Sequence, residues 1–273
     1  MEIDGRTRVV VHLAFPSAHL RTPTFFNARC RERGLGAVLV PWEVGPERLA
    51  ETWHALRHTR SCAGAIVTIP HKESVAVLCD DLEGVAAALG VANVVRRTDD
   101  GRMIGRLHDG EGFVAGLRAD GIEPRGRRAL LLGAGGAATA LAAALLAAGI
   151  AHLSIANRDR TRAETLVARL RALHPGRPIE AADADAAGYD LVVNATSVGL
   201  GGDPASPVDV ATIGPGTVVA DIVMKPAVTP LLRGATERGA RTHGGEHMLV
   251  AQIDLFIDFL LADGRAAPAR SAA

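Results

Sequence analysis

The 273-residue chain carries 30 Lys plus Arg against 30 Asp plus Glu, a formal net charge of zero, and 48% of its residues are hydrophobic. A neutral chain has no global field for a polyanion or an acidic membrane, so nucleic-acid and membrane partners are not expected, although one local basic cluster can still hold a single phosphate. The length fits one large or two modest domains, and the scattered Cys30, Cys62 and Cys79 match neither a zinc motif nor a disulfide framework, pointing to buried free thiols in a reducing, cytoplasmic setting.

The N-terminus has no basic flank ahead of an apolar run, and the apolar stretch Ala137–Ile150 is too short to span a bilayer. In chain order, Val9–Leu13 predicts a short buried strand. Thr22-Pro23 predicts a helix start with Thr22 as N-cap, running to about Arg33 and stopped by Gly34. Strands are expected at Gly36–Pro41 and Gly64–Thr68, and helices at Pro46–Arg57 and Leu82–Leu89. Val91–Arg97 and Arg102–Arg106 flank Asp99-Asp100-Gly101, a hairpin signal. This alternation predicts a mostly parallel sheet.

Asp109–Ala119 reads as a linking helix, and the Gly-, Pro- and Arg-rich Gly121–Arg127 as a boundary. Ala129–Leu132, Gly136–Ala148, Leu153–Asn157, Arg160–Leu173, Leu191–Asn194, Val218–Asp221 and Pro230–Arg238 form a second βαβ series. The last apolar helix, Met248–Leu261, has no strand after it and is expected to pack back on the first domain, with residues beyond Asp263 fraying.

The strand Ala129–Leu132 runs into Gly133-Ala134-Gly135-Gly136-Ala137-Ala138 and then a long Ala/Leu helix. In that position Gly133 permits the tight turn, Gly135 lets backbone N–H groups approach a pyrophosphate, and Ala138 takes the small position where helix meets strand. The helix N-terminus favours the phosphate charge. A tight turn without ligand would share this pattern. The next strand ends at Asn157-Arg158-Asp159, about where a Rossmann fold reads the adenosine ribose, with Arg162 one turn on. Arginine's fork suits a 2′-phosphate and favours NADP. Asp159 favours NAD, and Arg158 and Arg162 also fit plain solvated helix charges.

Polar groups also gather near strand ends of the first half, in Val67–Glu73, Ala92-Asn93-Val94 and Asp109-Gly110. Hydride exchange with a secondary alcohol needs a group that manages the hydroxyl proton, and a lysine oriented by a carboxylate can do so. Lys72 and Asp109 are the candidate pair, although spacing alone equally fits a surface lysine and an N-cap aspartate.

Together these segments resemble the shikimate/quinate dehydrogenase family. Pro16–Pro23 with Asn27, Val67–Glu73, Gly90–Val94, Asp109–Phe113, the cofactor motifs, Asn194–Gly199 and Gly245 with Met248–Gln252 follow in the family's order. The resemblance implies an α/β fold: a three-layer substrate and catalytic domain over 1–108 with a mostly parallel sheet, a Rossmann-like NAD(P)-binding domain over 109–245, and a C-terminal segment, 246–273, returning to the first. It implies a catalytic Lys72–Asp109 dyad and substrate contacts from Thr68, Asn93, Asp109 and Gln252, in an interdomain cleft whose closure excludes water. The cofactor set is Gly133, Ala134, Gly135, Gly136, Ala137, Asn157, Arg158, Arg162, Asn194, Thr196 and Gly245.

Departures fall in the substrate segment. Two serines and a later tyrosine usually bind the substrate carboxylate, whereas this chain has Leu20, Thr22 and Met224. A buried carboxylate without donors is costly, so either Arg21 or another cation takes over or the substrate differs at that end. Ile66 and Leu107-His108 are further departures, and Thr22 is a feature of quinate-using members. The reading is an NADP-dependent dehydrogenase of a shikimate- or quinate-like cyclic hydroxy acid, monomeric or homodimeric. NAD-dependent quinate oxidation and a catalytically weak binding or regulatory protein are the alternatives. His71 and His108 flank the dyad, as tuning groups or as satisfied polar neighbours. His243 and His247, four apart with Gly244-Gly245 between them, predict no helical metal pair.

Overall fold

The computed structural model describes residues 3–262, so the expectation for the tail beyond Asp263 lies outside the described residues. The chain divides into two compact units, one comprising residues up to His108 together with those from Gln252 onward, the other Asp109–Ala251.

The first unit contains β1 (Arg8–Ala14), α1 (Thr22–Glu32), β2 (Ala37–Glu43), a 3-10 turn (Pro46–Arg48), α2 (Leu49–His58), β3 (Cys62–Val67), α3 (Lys72–Leu78), β4 (Asp81–Leu82), α4 (Val85–Leu89), β5 (Val94–Arg97) and β6 (Met103–Arg106). Its six strands run in the order β2-β1-β3-β5-β6-β4. β1 is parallel to both β2 and β3, and the hairpin β5–β6 lies antiparallel. The near-continuous apolar run of β1 suits a strand flanked on both edges, and Val11, Leu13, Ala65 and Val67 join Leu49, Trp53 and Leu56 of α2 in one core.

Three local expectations change. Thr22 is the first helical residue and buried, while Arg21 occupies the cap position without a side-chain capping hydrogen bond. Asp81 and Leu82 pair with β6, so the helix expected from Leu82 begins at Val85. Lys72 opens a helix that apolar periodicity missed: seven residues are too few for a period, and only Val75 and Ala76 are buried.

The second unit contains α5 (Asp109–Ala119), β7 (Arg128–Leu132), α6 (Gly136–Ala147), β8 (His152–Ala156), α7 (Arg160–Leu173), β9 (Ile179–Ala181), β10 (Leu191–Asn194), β11 (Val218–Asp221), α8 (Pro230–Glu237) and β12 (Arg241–His243). Every pair in its sheet, β12-β11-β10-β7-β8-β9, is parallel. The three-residue strands β9 and β12 carry too little pattern to read from sequence. Strand order reverses between β7 and β10, the switch point where doubly wound sheets open a crevice at their C-terminal ends. Gly121–Arg127 lies inside this unit.

α9 (Gly245–Leu260) begins in the second unit, and its residues from Gln252 count with the first. There Arg29 binds Asp254 with two nitrogens at 2.8 Å each, and Arg33 reaches Asp258 at 2.8 Å. Phe259 lies under the Arg96 and Arg106 guanidinium groups.

Candidate active site

In the second unit the glycine-rich turn leaves β7 at the switch point. Gly133 has φ +117°, and a Cβ there would stand 3.0 Å from the Ala195 carbonyl, so the turn can pass β10 only as glycine. Its N–H is held by the Ala156 carbonyl at 2.7 Å. Gly135 caps α6 with no side chain on the helix end, and a Cβ there would meet nothing within 4 Å. Ala134, Gly136 and Ala137 are half-exposed around this uncapped N-terminus, whose first N–H groups are suited to an anion.

At the end of β8, Asn157 donates to the Asp159 carbonyl, and the Asp159 carboxylate accepts the Thr161 N–H at 3.1 Å, capping α7. Asp159 is thus engaged as a helix cap. Arg160 is tied to Glu164 and Asp183. Arg158 and Arg162 are exposed and have no side-chain partner among the described residues. The open cradle and these two guanidinium groups fit a dinucleotide carrying a 2′-phosphate.

Asn194 is fully buried and spent within its unit. Its amide donates to Val198 and Asp221, and its oxygen accepts from the Thr196 N–H and hydroxyl. Asp221 also accepts from Thr229 at 2.7 Å and from the Val223 N–H at 2.9 Å, while burial pushes its carboxyl above the usual range. Asn194 and Thr196 therefore shape the loop after β10. Asp221 and Thr229 complete this knot, and nothing in their local sequence marks it. Met224 is half-buried after it, and Gly245 opens α9.

In the first unit, the parallel β1 and β3 end side by side, the Thr68 N–H on the Leu13 carbonyl and the Phe15 N–H on the Ile69 carbonyl. Antiparallel β5 starts beside them, with the Val67 N–H on the Asn93 carbonyl and the Ala92 N–H on the Lys72 carbonyl. Asn93 is buried, accepts the His108 N–H at 2.8 Å and donates to Gln252 Oε1 at 3.4 Å. The fold thus gathers Thr68, Lys72, Asn93 and Gln252, and Asn93 anchors the residue directly before Asp109. Asp109 is buried at the first position of α5.

His71 is a satisfied buried neighbour, its Nε2 2.7 Å from the Val44 carbonyl. His108 packs edge-on against Phe256 and Phe259. Buried His12 on β1 escaped the sequence reading because one polar residue in an apolar strand gives no motif. Burial, then the nearby His19 and Lys72, pushes its pKa down to about 3, so it is uncharged, and its Nδ1 has no partner among the described residues. Thr22 is buried, and Leu20 and Arg21 are half-buried, Arg21 over the Phe25 ring. The backbone N–H and hydroxyl of Ser17 donate to Glu43 at 2.8 and 2.9 Å and hold its carboxyl below the usual range.

All three cysteines are free. Cys30 and Cys62 are buried as expected, whereas Cys79 is half-buried, and desolvation pushes its thiol up to about 12. The rings of His243 and His247 stack 4.5 Å apart, and the fold brings Asp120 to His243. No helix among the described residues is long and apolar enough to cross a membrane.

Residues 13–95 match the family described as shikimate dehydrogenase substrate binding domain, and residues 119–200 match shikimate / quinate 5-dehydrogenase. A shikimate dehydrogenase (NADP(+)) of Geobacter metallireducens is 40% identical over 260 residues, covering 92% of this chain and 90% of that protein. The ligand-free 5-ketofructose reductase of Gluconobacter sp. strain CHM43 superposes with a TM-score of 0.84 at 33% identity, over 95% of this chain and 94% of that one. Shikimate 5-dehydrogenase of Thermus thermophilus, in complex with NADP(H) and shikimate, gives 0.86 at 29% identity, over 97% and 99%.

Proposed function

The chain belongs to the shikimate/quinate dehydrogenase family, and from that premise we propose that it is an NADP-dependent dehydrogenase interconverting a ring hydroxyl and a ketone on a shikimate- or quinate-like cyclic hydroxy acid. The gathering of Thr68, Lys72, Asn93 and Gln252 around the ends of β3 and β5 carries this reading. When bound, NADP supplies or accepts the hydride. In the reducing direction Lys72 gives a proton to the carbonyl oxygen as that carbon gains hydride, and in the oxidising direction it takes the hydroxyl proton, with Asp109 as its carboxylate partner in the chemistry. Thr68, Asn93 and Gln252 bind substrate hydroxyls. The first unit is the substrate domain and the second the dinucleotide domain. The free cysteines favour the cytoplasm, and the chain works as a monomer or homodimer.

Assaying the purified chain with NADP and shikimate or quinate, and in reverse with NADPH, tests the reading. Turnover of any such acid supports it, and NADPH binding without turnover overturns it. Arg158→Ala is expected to raise KM for NADP about 10–100-fold, the worth of a charge-assisted contact, and to leave KM for NAD within twofold. Equal use of both cofactors by both proteins would reject the role of Arg158.

One observation favours a second reading of the substrate. Leu20 removes a hydroxyl donor, and the adjacent Ser17 donors already hold an ionised Glu43. A segment with its own anion and one donor fewer is a poor receiver for a substrate carboxylate. Uncharged His12 suits a hydroxyl better than a carboxylate. With the likeness to a 5-ketofructose reductase, this supports a neutral polyhydroxy ketone. A kcat/KM for 5-ketofructose tenfold above that for the reducible cyclic acid is the expected result on this reading, and the reverse preference rejects it.

A further inference from the structure

We propose that Asp120, His243 and His247 form a binding site for a transition-metal dication of the zinc class. The three come from separate segments of the second unit. Asp120 directly follows α5, its N–H bonded to the Gly116 carbonyl. His243 ends β12, and His247 lies in the first turn of α9. One ligand atom from each lies within 4.8 Å of the others. His243 Nδ1 stands 3.0 Å from Asp120 Oδ2, and the two imidazole rings stack at 4.5 Å with 29° between their planes.

The side chain of His243 is 1% exposed, and its Nε2 has no hydrogen-bond partner among the described residues. An unsatisfied ring nitrogen is costly to bury, and a metal ion could relieve that cost. A carboxylate bonded to one nitrogen of a histidine is the arrangement that orients a metal-bound imidazole. With Asp120 holding His243 at Nδ1, the ligands are His243 Nε2 and a ring nitrogen of His247, and imidazole ligands suit zinc and its neighbours, whereas calcium and magnesium favour all-oxygen shells. His247 is exposed, so its ring can swing to close the remaining distance, and water can fill the open position. Arg241 is the nearby cation, and it donates to the Asp120 backbone carbonyl while standing 3.6 Å from Oδ1, the oxygen away from His243. An ion here would pin the end of α5 and the end of β12 to the first turn of α9.

The test is titration of the full chain, stripped with a chelator, with Zn²⁺ against a chromophoric competitor, alongside the visible spectrum of its Co²⁺ form. Neither readout depends on turnover. One Zn²⁺ per chain is expected, lost in His247→Ala and weakened about 10–100-fold in Asp120→Asn, with a Co²⁺ spectrum typical of imidazole ligation. Thermal melting of each apo variant shows that the fold is retained, as the exposure of His247 predicts. Failure of the native chain to bind zinc overturns the proposal, as does stoichiometric binding that survives His247→Ala.

Discussion

Lys72→Ala is expected to lower kcat about 10³-fold, within the range that positioned proton transfer contributes, while NADPH binding measured by fluorescence stays within twofold of native. The separation follows from where the groups sit. The glycine-rich turn and Arg158, proposed to hold the cofactor, belong to the second unit, whereas Lys72 opens α3 in the first. Lys72→Arg sharpens the test, because arginine keeps the charge and does not deprotonate in proteins. It is expected to remain at least 10²-fold impaired, on the same scale. Recovery of activity in Lys72→Arg would assign the residue to charge stabilisation alone, and an alanine variant within tenfold of native would remove Lys72 from the chemistry.

Gly110→Val is expected to lower the melting temperature by about 9 °C and to impair kcat with it. A Cβ at Gly110 would stand 2.2 Å from the Ala140 carbonyl and 2.6 Å from the Ala144 methyl. α5 and α6 therefore approach through bare backbone at this point, and neither helix can yield without moving a packed layer. Overpacking of this kind costs about 3 kcal/mol, and a unit of this size loses roughly 3 °C for each. The neighbouring Asp109 moves with its helix, so activity falls at temperatures where the variant is still folded. A variant that melts within 2 °C of native and turns over normally would show that α5 tolerates the side chain.

Much of the scaffold was legible because turn and helix chemistry is local. The hairpin at Asp99–Gly101, the helix Arg160–Leu173 and the turn after β7 emerge where the residues predicted them. The short α3, β9 and β12 did not, since three to seven residues hold too little period to read. Thr22-Pro23 marked the start of α1, but the cap shifted by one residue and buried the threonine. At the candidate site, residues in contiguous motifs were visible, among them Thr68, Lys72 and Asn93, whereas His12, Glu43 and Asp221 were not.

The sequence by itself determined the βαβ series, the glycine-rich turn after β7 and the family membership, because each depends on residues close together in the chain. It also exposed the departures from the family pattern at Leu20 and Thr22. Only the tertiary structure decided which polar groups meet. Asn93 reaches Gln252 across 159 positions and Asp120 reaches His243 across 123, and sheet order and helix packing set those distances, on which residue periodicity is silent. The engagement of Asp159 as a helix cap, the uncharged state of buried His12 and the cluster around His243 follow from that packing.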